Sequence, residues 1–416
     1  MSQSPPAAPP ASHPLRRFAP EVILVCGCLI GLLTFGPRAA IGLFQIPIAR
    51  DFGWNREIFS FAVAIQNLLW GVGQPFAGAM ADRFGTLRML VLGVLLYAAG
   101  LAVMSVATTP GAMTLGAGVL IGFGLSGCSF NLVIGAFAKL LPEKWRGLAF
   151  GAGTAAGSIG QFLFPPIGSL LIDSIGWQQT ALVFGLTLLA VVPLSIPLAT
   201  RSLSRSAVQA GPTQSVSQAL AEAFRHKSYV FLVLGFFTCG FQLAFITAHL
   251  PAYLQDLGMP AWVGGWTLAV IGLANAVGSL TAGWLSSRMP KRWLLSAIYL
   301  GRSAVVVLFL MLPPSPATAI GFGVGMGLLW LSTVPPTSSL VALMFGTRYM
   351  SMLYGFAFFS HQLGGFLGVF LGGVLYERWG SYVGVWWLSV LLGILSALIN
   401  LPIREVPVTR PAPAAA

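Results

Sequence analysis

GAMADRFGTLR at Gly78–Arg88 and GWLSSRMPKR at Gly283–Arg292 are the two passages whose reading decides the fold. Each is a short basic turn that follows an apolar run, in a chain otherwise nearly free of charge. Outward from these turns, apolar stretches of roughly twenty residues, enough to cross a bilayer as a helix, recur along the whole sequence. They lie near 22–46, 57–81, 89–108, 112–138, 147–172 and 179–200, and again near 228–254, 263–286, 293–312, 316–343, 350–375 and 382–401. The basic turns come after the second and the eighth stretch, the same place in each set of six, which is the mark of a duplicated unit.

Composition agrees. Of 416 residues, 56% are apolar and only 8% charged, so lipid rather than water must face most of the surface. The net charge of +12 is explained by where the charges fall, not by a nucleic-acid partner. With the N-terminus in the cytoplasm, all but five of the 22 Lys and Arg lie in cytoplasmic segments. Arg50, Arg56 and Arg378 fall outside, and Arg38 and Arg302 fall within spans. The expectation is an all-α, multi-pass protein of the inner (plasma) membrane with both termini cytoplasmic. Its twelve transmembrane helices form two six-helix bundles related by pseudo-twofold symmetry. The predicted organisation is a disordered tail at 1–20, bundles at 21–200 and 227–403 joined by a linker at 201–226, and a disordered tail at 404–416. Cys26, Cys28, Cys128 and Cys239 all sit within apolar spans, without the spacing of a disulfide framework or metal site. No cofactor is expected, and the chain is read as a monomer in the lipid bilayer.

The pattern Gly-x-x-x-Asp-Arg-x-Gly-x-x-Arg at Gly78 to Arg88 resembles the loop between helices 2 and 3 of the major facilitator superfamily. The resemblance spans roughly residues 20–402 and implies two bundles rocking about a central site. It also implies a cytoplasmic gate in which Asp82, with Arg83 and Arg88 beside it, faces Arg348 at the start of helix 11. The bland alternative is a solvated turn. Phe35–Phe44, FGPRAAIGLF, and Thr247–Leu254, TAHLPAYL, look like helices 1 and 7 of the monocarboxylate porter and oxalate/formate antiporter branch. Where eukaryotic monocarboxylate porters place an Asp and an Arg in helix 8, this chain offers Asn275 and Ser279.

Arg38 and Arg302 carry the functional argument. A charge at mid-membrane costs roughly 2.5 to 3.5 kcal/mol on insertion scales, and none of the ten acidic residues lies inside a span well away from either membrane face to offset it. An anionic ligand supplies the missing partner, because a guanidinium matches carboxylate oxygens two at a time. Gly27, Gly31, Thr34, Arg38, Gly42 and Gln45 share one helix face, which therefore looks at other helices or at water. Pro37 removes a backbone donor beside the charge. For each arginine a structural role stays open: Arg38 bonded to carbonyls freed at the Gly-Pro break, Arg302 bridging helices 8 and 10. Asn131, Gln161, Gln242, His361 and Gln362 are the further candidates for ligand contact, and His249 a candidate for a gate.

These residues predict a secondary transporter, not an enzyme, moving a small organic anion, a mono- or dicarboxylate, by alternating access. Two fixed positive charges without an acid suit one dianion or two monoanions. Coupling is either anion exchange or proton symport, with His361 or His249 as the membrane-embedded titrating group. The alternative is an exporter of drugs or other small molecules on the same scaffold. For cationic drugs that needs an acid in the cavity, and the spans hold none well away from either membrane face.

Overall fold

A computed structural model describes residues 18–200, 216–346 and 349–408, without the side chains of Asp82, Arg146, Phe150, Val216 and Ser351. The linker stretch 201–215, most of both tails and Arg348 lie outside the described residues. The spans are α1 (Pro20–Phe52), α2 (Arg56–Phe84), α3 (Thr86–Val106), α4 (Pro110–Leu140), α5 (143–175) and α6 (177–194) in the first half. A short helix, Val216–Arg225, precedes α7 (Lys227–Asp256), α8 (Ala261–Ser286), α9 (Lys291–Met311), α10 (Pro316–Leu329 with Val334–Phe345), α11 (Met350–Trp379) and α12 (Val383–Asn400). Among the described residues nine helical segments are long and apolar enough by themselves to cross a membrane. The count reaches twelve because a single helical run turns sharply at Gly176 (φ 83°) into α5 and α6, α10 is broken in two, and polar residues dilute α2. The architecture is two six-helix bundles related by a pseudo-twofold axis.

The duplication is visible in how matching helices begin and break. α4 opens on Thr109-Pro110 and α10 on Ser315-Pro316, and in each the hydroxyl accepts the backbone N–H three residues on (3.2 and 3.1 Å). Proline at the first helical position needs no donor there, so both starts are well capped. Each helix then breaks near mid-membrane, α4 at Cys128-Ser129 and α10 over 330–333. Irregular backbone at that depth is tolerated only inside protein or against a cavity. Each bundle has its own apolar core, built around Tyr97 and Phe137 in the first half and around Phe245 and Trp386 in the second. Leu170, Leu186 and Leu280, turned outward, meet lipid.

The bundles touch along α1–α7, α2–α11 and α5–α8, and glycine makes that approach possible. A Cβ on Gly42 would strike the Thr247 and Ala248 carbonyls, one on Gly373 would strike Ser60, and one on Gly272 would strike Gln161 and Phe162. Toward the Arg88 end the same helices part. Gly78 of α2, Gly151 of α5, Gly283 of α8 and Gly355 of α11 face open space. The molecule is therefore closed at the Arg56 end and open at the Arg88 end.

Polar contacts across the seam hold the closed end. Arg56 of α2 grips Asp256 of α7 with both terminal nitrogens (2.6 and 2.7 Å) and lies 3.9 Å over the Tyr376 ring. Its Nη1 also donates to the Tyr382 hydroxyl (3.1 Å), and its backbone N–H to Glu377 Oε1 (2.8 Å). One turn deeper, Gln45 Nε2 donates to Ser60 Oγ (3.0 Å) and to His249 Nδ1 (3.4 Å), while His249 Nε2 donates to the Val369 carbonyl (2.9 Å). His249 thus belongs to the seal. The ion pair is partly exposed, so its net contribution to closure is about 1 kcal/mol. Asp256→Asn should raise maleimide labelling of a Ser60→Cys variant from the Arg56 face about fivefold; unchanged labelling would show that the pair does not hold the seam.

Candidate functional site

The site begins with the break in α1. Pro37 has no N–H to give the preceding turn, the α-helical geometry ends at Ala39, and a 3-10 turn follows at Ile41–Phe44. Arg38 leaves the helix at this discontinuity. Its Nη2 donates to Asn67 Oδ1 of α2 (2.8 Å), and Nε is buried without a partner. Asn67 is itself oriented by its Nδ2, which donates to the Val63 carbonyl (2.8 Å). The guanidinium therefore has a neutral orienting partner and keeps its charge uncompensated.

Arg38 borders a cavity of about 220 Å³ between the bundles, lined by residues of both. Asn131, Gln161, His361 and Gln362 also line it, so five of the seven expected ligand-contact residues meet in one place. His361 Nδ1 donates to Gln362 Oε1 (3.2 Å), leaving Gln362 Nε2 a buried donor with no partner, and Gln161 Oε1 is a buried acceptor with none. No Asp or Glu is among the described lining residues. In the cavity wall, Asn275 ties the halves together: its Nδ2 donates to Ser158 Oγ (3.0 Å) and its Oδ1 accepts from Leu331 N (3.0 Å) in the α10 break.

Arg302 and Gln242 are not brought to this cavity, contrary to the expectation for both. Arg302 is fully buried, and its Nε donates to the Leu329 carbonyl (2.9 Å). Nη2 donates to the Leu329 (2.7 Å) and Trp330 carbonyls, and Nη1 reaches Gln242 Oε1 (3.4 Å). Gln242 in turn donates to the Ser389 carbonyl (3.1 Å). The physical reason is the break in α10, whose exposed carbonyls form the negative end of a helix segment and attract a cation. Arg302 is the staple for that break. The adjacent prolines, Pro335 and Pro336, which lack N–H groups, were the signal in the sequence.

The expected gate is only partly placed. Arg83 and Arg88 are exposed at the open end, Arg83 lying against the Phe84 ring (5.2 Å). The Asp82 side chain and Arg348 fall outside the described residues. Sequence reasoning missed Asn67 and Trp70, which line the cavity from α2, and the Arg56–Asp256 latch. Gln66, Asn67, Trp70 and Gln74 interrupt the apolar run of α2 at helical spacing, a stripe of the kind that marked α1.

A family model, the Major Facilitator Superfamily, matches residues 24–369 and 264–416, and the chain belongs to that superfamily. It is similar to the uncharacterised MFS-type transporter YcxA of Bacillus subtilis (strain 168), 27% identical over 89% of this chain and 91% of that protein. It is also similar to monocarboxylate transporter 13 of Rattus norvegicus, 24% identical over 89% of this chain and 86% of the relative. A bacterial homologue of the human lysosomal transporter Spinster, crystallised inward-facing and unoccupied, superposes with a TM-score of 0.74 at 16% identity, covering 92% of this chain and 96% of that one. The protein is a multi-pass membrane transporter.

The two arginines should separate in experiment. Arg302→Met leaves the Leu329 and Trp330 carbonyls without their donor and should destabilise the protein by about 2–4 kcal/mol. It should lower the thermal unfolding midpoint of the solubilised protein by several degrees, whereas Arg38→Gln should not. Equal midpoints for Arg302→Met and the parent would remove the staple assignment.

Proposed function

We propose that the chain carries a small organic anion through the membrane by alternating access, with Arg38 as the anchor for its carboxylate. The carrying observation is a buried guanidinium that faces a cavity between the bundles, is oriented by neutral Asn67, and has no acid in the described lining. Relatives named as monocarboxylate transporters support the same cargo class. Asn131, Gln161, His361 and Gln362 contact the rest of the ligand, with the unpartnered Gln362 Nε2 as a second donor to an anion. With Arg302 held by carbonyls the site carries one fixed positive charge, which favours one carboxylate per transport event over a dianion.

The Arg88 end is read as cytoplasmic, because Lys and Arg concentrate there, and the membrane as the inner (plasma) membrane. The structure then represents the state open to the cytoplasm, sealed outside by Arg56 and Asp256. Coupling is anion exchange or proton symport. His361 is the titrating candidate in the cavity wall, and His249 sits in the seal. The mostly apolar lining also suits an exporter of uncharged drugs, but such cargo leaves Arg38 unsatisfied.

Uptake of labelled carboxylates into proteoliposomes tests the proposal. Arg38→Gln removes a charge-assisted bond to the ligand and should cut carboxylate uptake by about 30-fold or more. Uptake at the parent rate would sink the anchor, and amines moving faster than every acid would favour the exporter. Uptake that responds to an inward proton gradient in the parent and loses that response in His361→Gln indicates symport; persistence of the response in the mutant excludes His361 as the coupling group.

A further inference from the structure

Below Arg38, toward the open end, one side of the cavity wall is a run of aromatic rings, beside which the polar groups are neutral amides and hydroxyls and one imidazole. Trp70 of α2 meets Phe358 of α11 edge-on at 5.5 Å between centroids, and Phe358 stacks with His361 at 5.9 Å. His361 meets Phe236 of α7 at 5.0 Å, and Phe236 meets Tyr354 at 6.2 Å. All five border the cavity. The Trp70 indole N–H is engaged by Gln74 Oε1 (3.1 Å), so the ring presents only apolar surface to a ligand. From both bundles, then, rings converge on the space just below the anchor.

Helix geometry sets the distances along this wall. Trp70 is three residues from Asn67 on α2, about 4.5 Å along the axis toward the open end. On α11, Gly365 packs beside Asn67, and Phe358 is seven residues further toward the open end, about 10 Å. A carboxylate held at Arg38 thus has rings alongside it from about 5 to 10 Å away. A three-carbon acid ends before it reaches Phe358. A dicarboxylate long enough to reach the rings sets its second charge among rings and neutral amides, where no fixed cation waits because Arg302 is bound to the α10 carbonyls.

Resting on the anion-carrier proposal above, we infer that the cargo is a monocarboxylate with an aromatic or comparably bulky apolar body, and that Trp70, Phe358 and Phe236 select it. Its charged head meets Arg38 and Asn67, and its body lies against the rings in the offset or edge-on arrangements that aromatic pairs prefer. Selection against short acids follows from apolar area left wet, and selection against dicarboxylates from the unpaired second charge.

Binding to the purified protein, followed by displacement of one labelled acid, tests the inference with lactate, succinate, 3-phenylpropionate and phenethylamine. 3-Phenylpropionate should bind at least tenfold more tightly than lactate or succinate. Phe358→Ala and Trp70→Ala should each reduce that advantage to below threefold, and Phe358→Leu, which keeps volume without the ring, should fall between. Lactate or succinate binding as tightly as 3-phenylpropionate would overturn the aromatic-body inference while leaving the anion carrier intact. If no acid binds, or phenethylamine binds more tightly than all of them, the anion carrier itself fails and the inference falls with it.

Discussion

A guanidinium in the middle of a membrane must find oxygen atoms, and most of what is distinctive in this transporter follows from how its two mid-membrane arginines find them. Arg302 finds them within the protein. The break in α10 frees carbonyls at Leu329 and Trp330, and the arginine closes over both. Arg38 finds a single amide oxygen, that of Asn67, and otherwise faces the cavity. Two residues of the same type at similar depth are thereby divided into a structural element and an open site. The difference is made by what each guanidinium meets, the carbonyls of the α10 break in one case and the cavity between the bundles in the other.

The gap exists because the bundles meet along only half their length. Glycines at the Arg56 end let backbone approach backbone, and Arg56 clamps Asp256 across the seam. At the Arg88 end the corresponding glycines touch nothing across the gap. A carrier that alternates access must be able to reverse this asymmetry. A clamp of about 1 kcal/mol suits that need, since it biases the closure without fixing it. The cavity sits where contact gives way to separation, and side chains of both bundles line it.

Much of this was legible in the sequence. The repeated basic turns after the second and eighth spans gave the duplication, and the charge inventory isolated Arg38, whose surroundings at Gly36-Pro37 also foretold the helix break. Asn131, Gln161, His361 and Gln362, which line the cavity, stand out in the sequence because amides and imidazoles are costly in lipid, a property of residue type and depth alone. Arg302 was misplaced because depth does not say which carbonyls lie nearby; only the packing of α9 on α10 does. Asn67 was missed for a related reason, since α2 reads as an apolar span with scattered amides until its partner on α1 is known. The aromatic wall needs three helices at once, and no spacing along one helix reveals it.

The central claim is that Arg38 keeps an uncompensated charge for an anion, and that Asn67 preserves it by being neutral. Asn67→Asp tests this most directly, because the change is nearly isosteric and sets a carboxylate 2.8 Å from the guanidinium where the parent has an amide. Carboxylate binding and exchange by this variant at neutral pH, measured on protein that matches the parent in thermal stability, should fall by an order of magnitude or more as the internal ion pair displaces the cargo. Exchange at the parent rate would contradict the account, since it would mean that the charge on Arg38 does not bind what is carried.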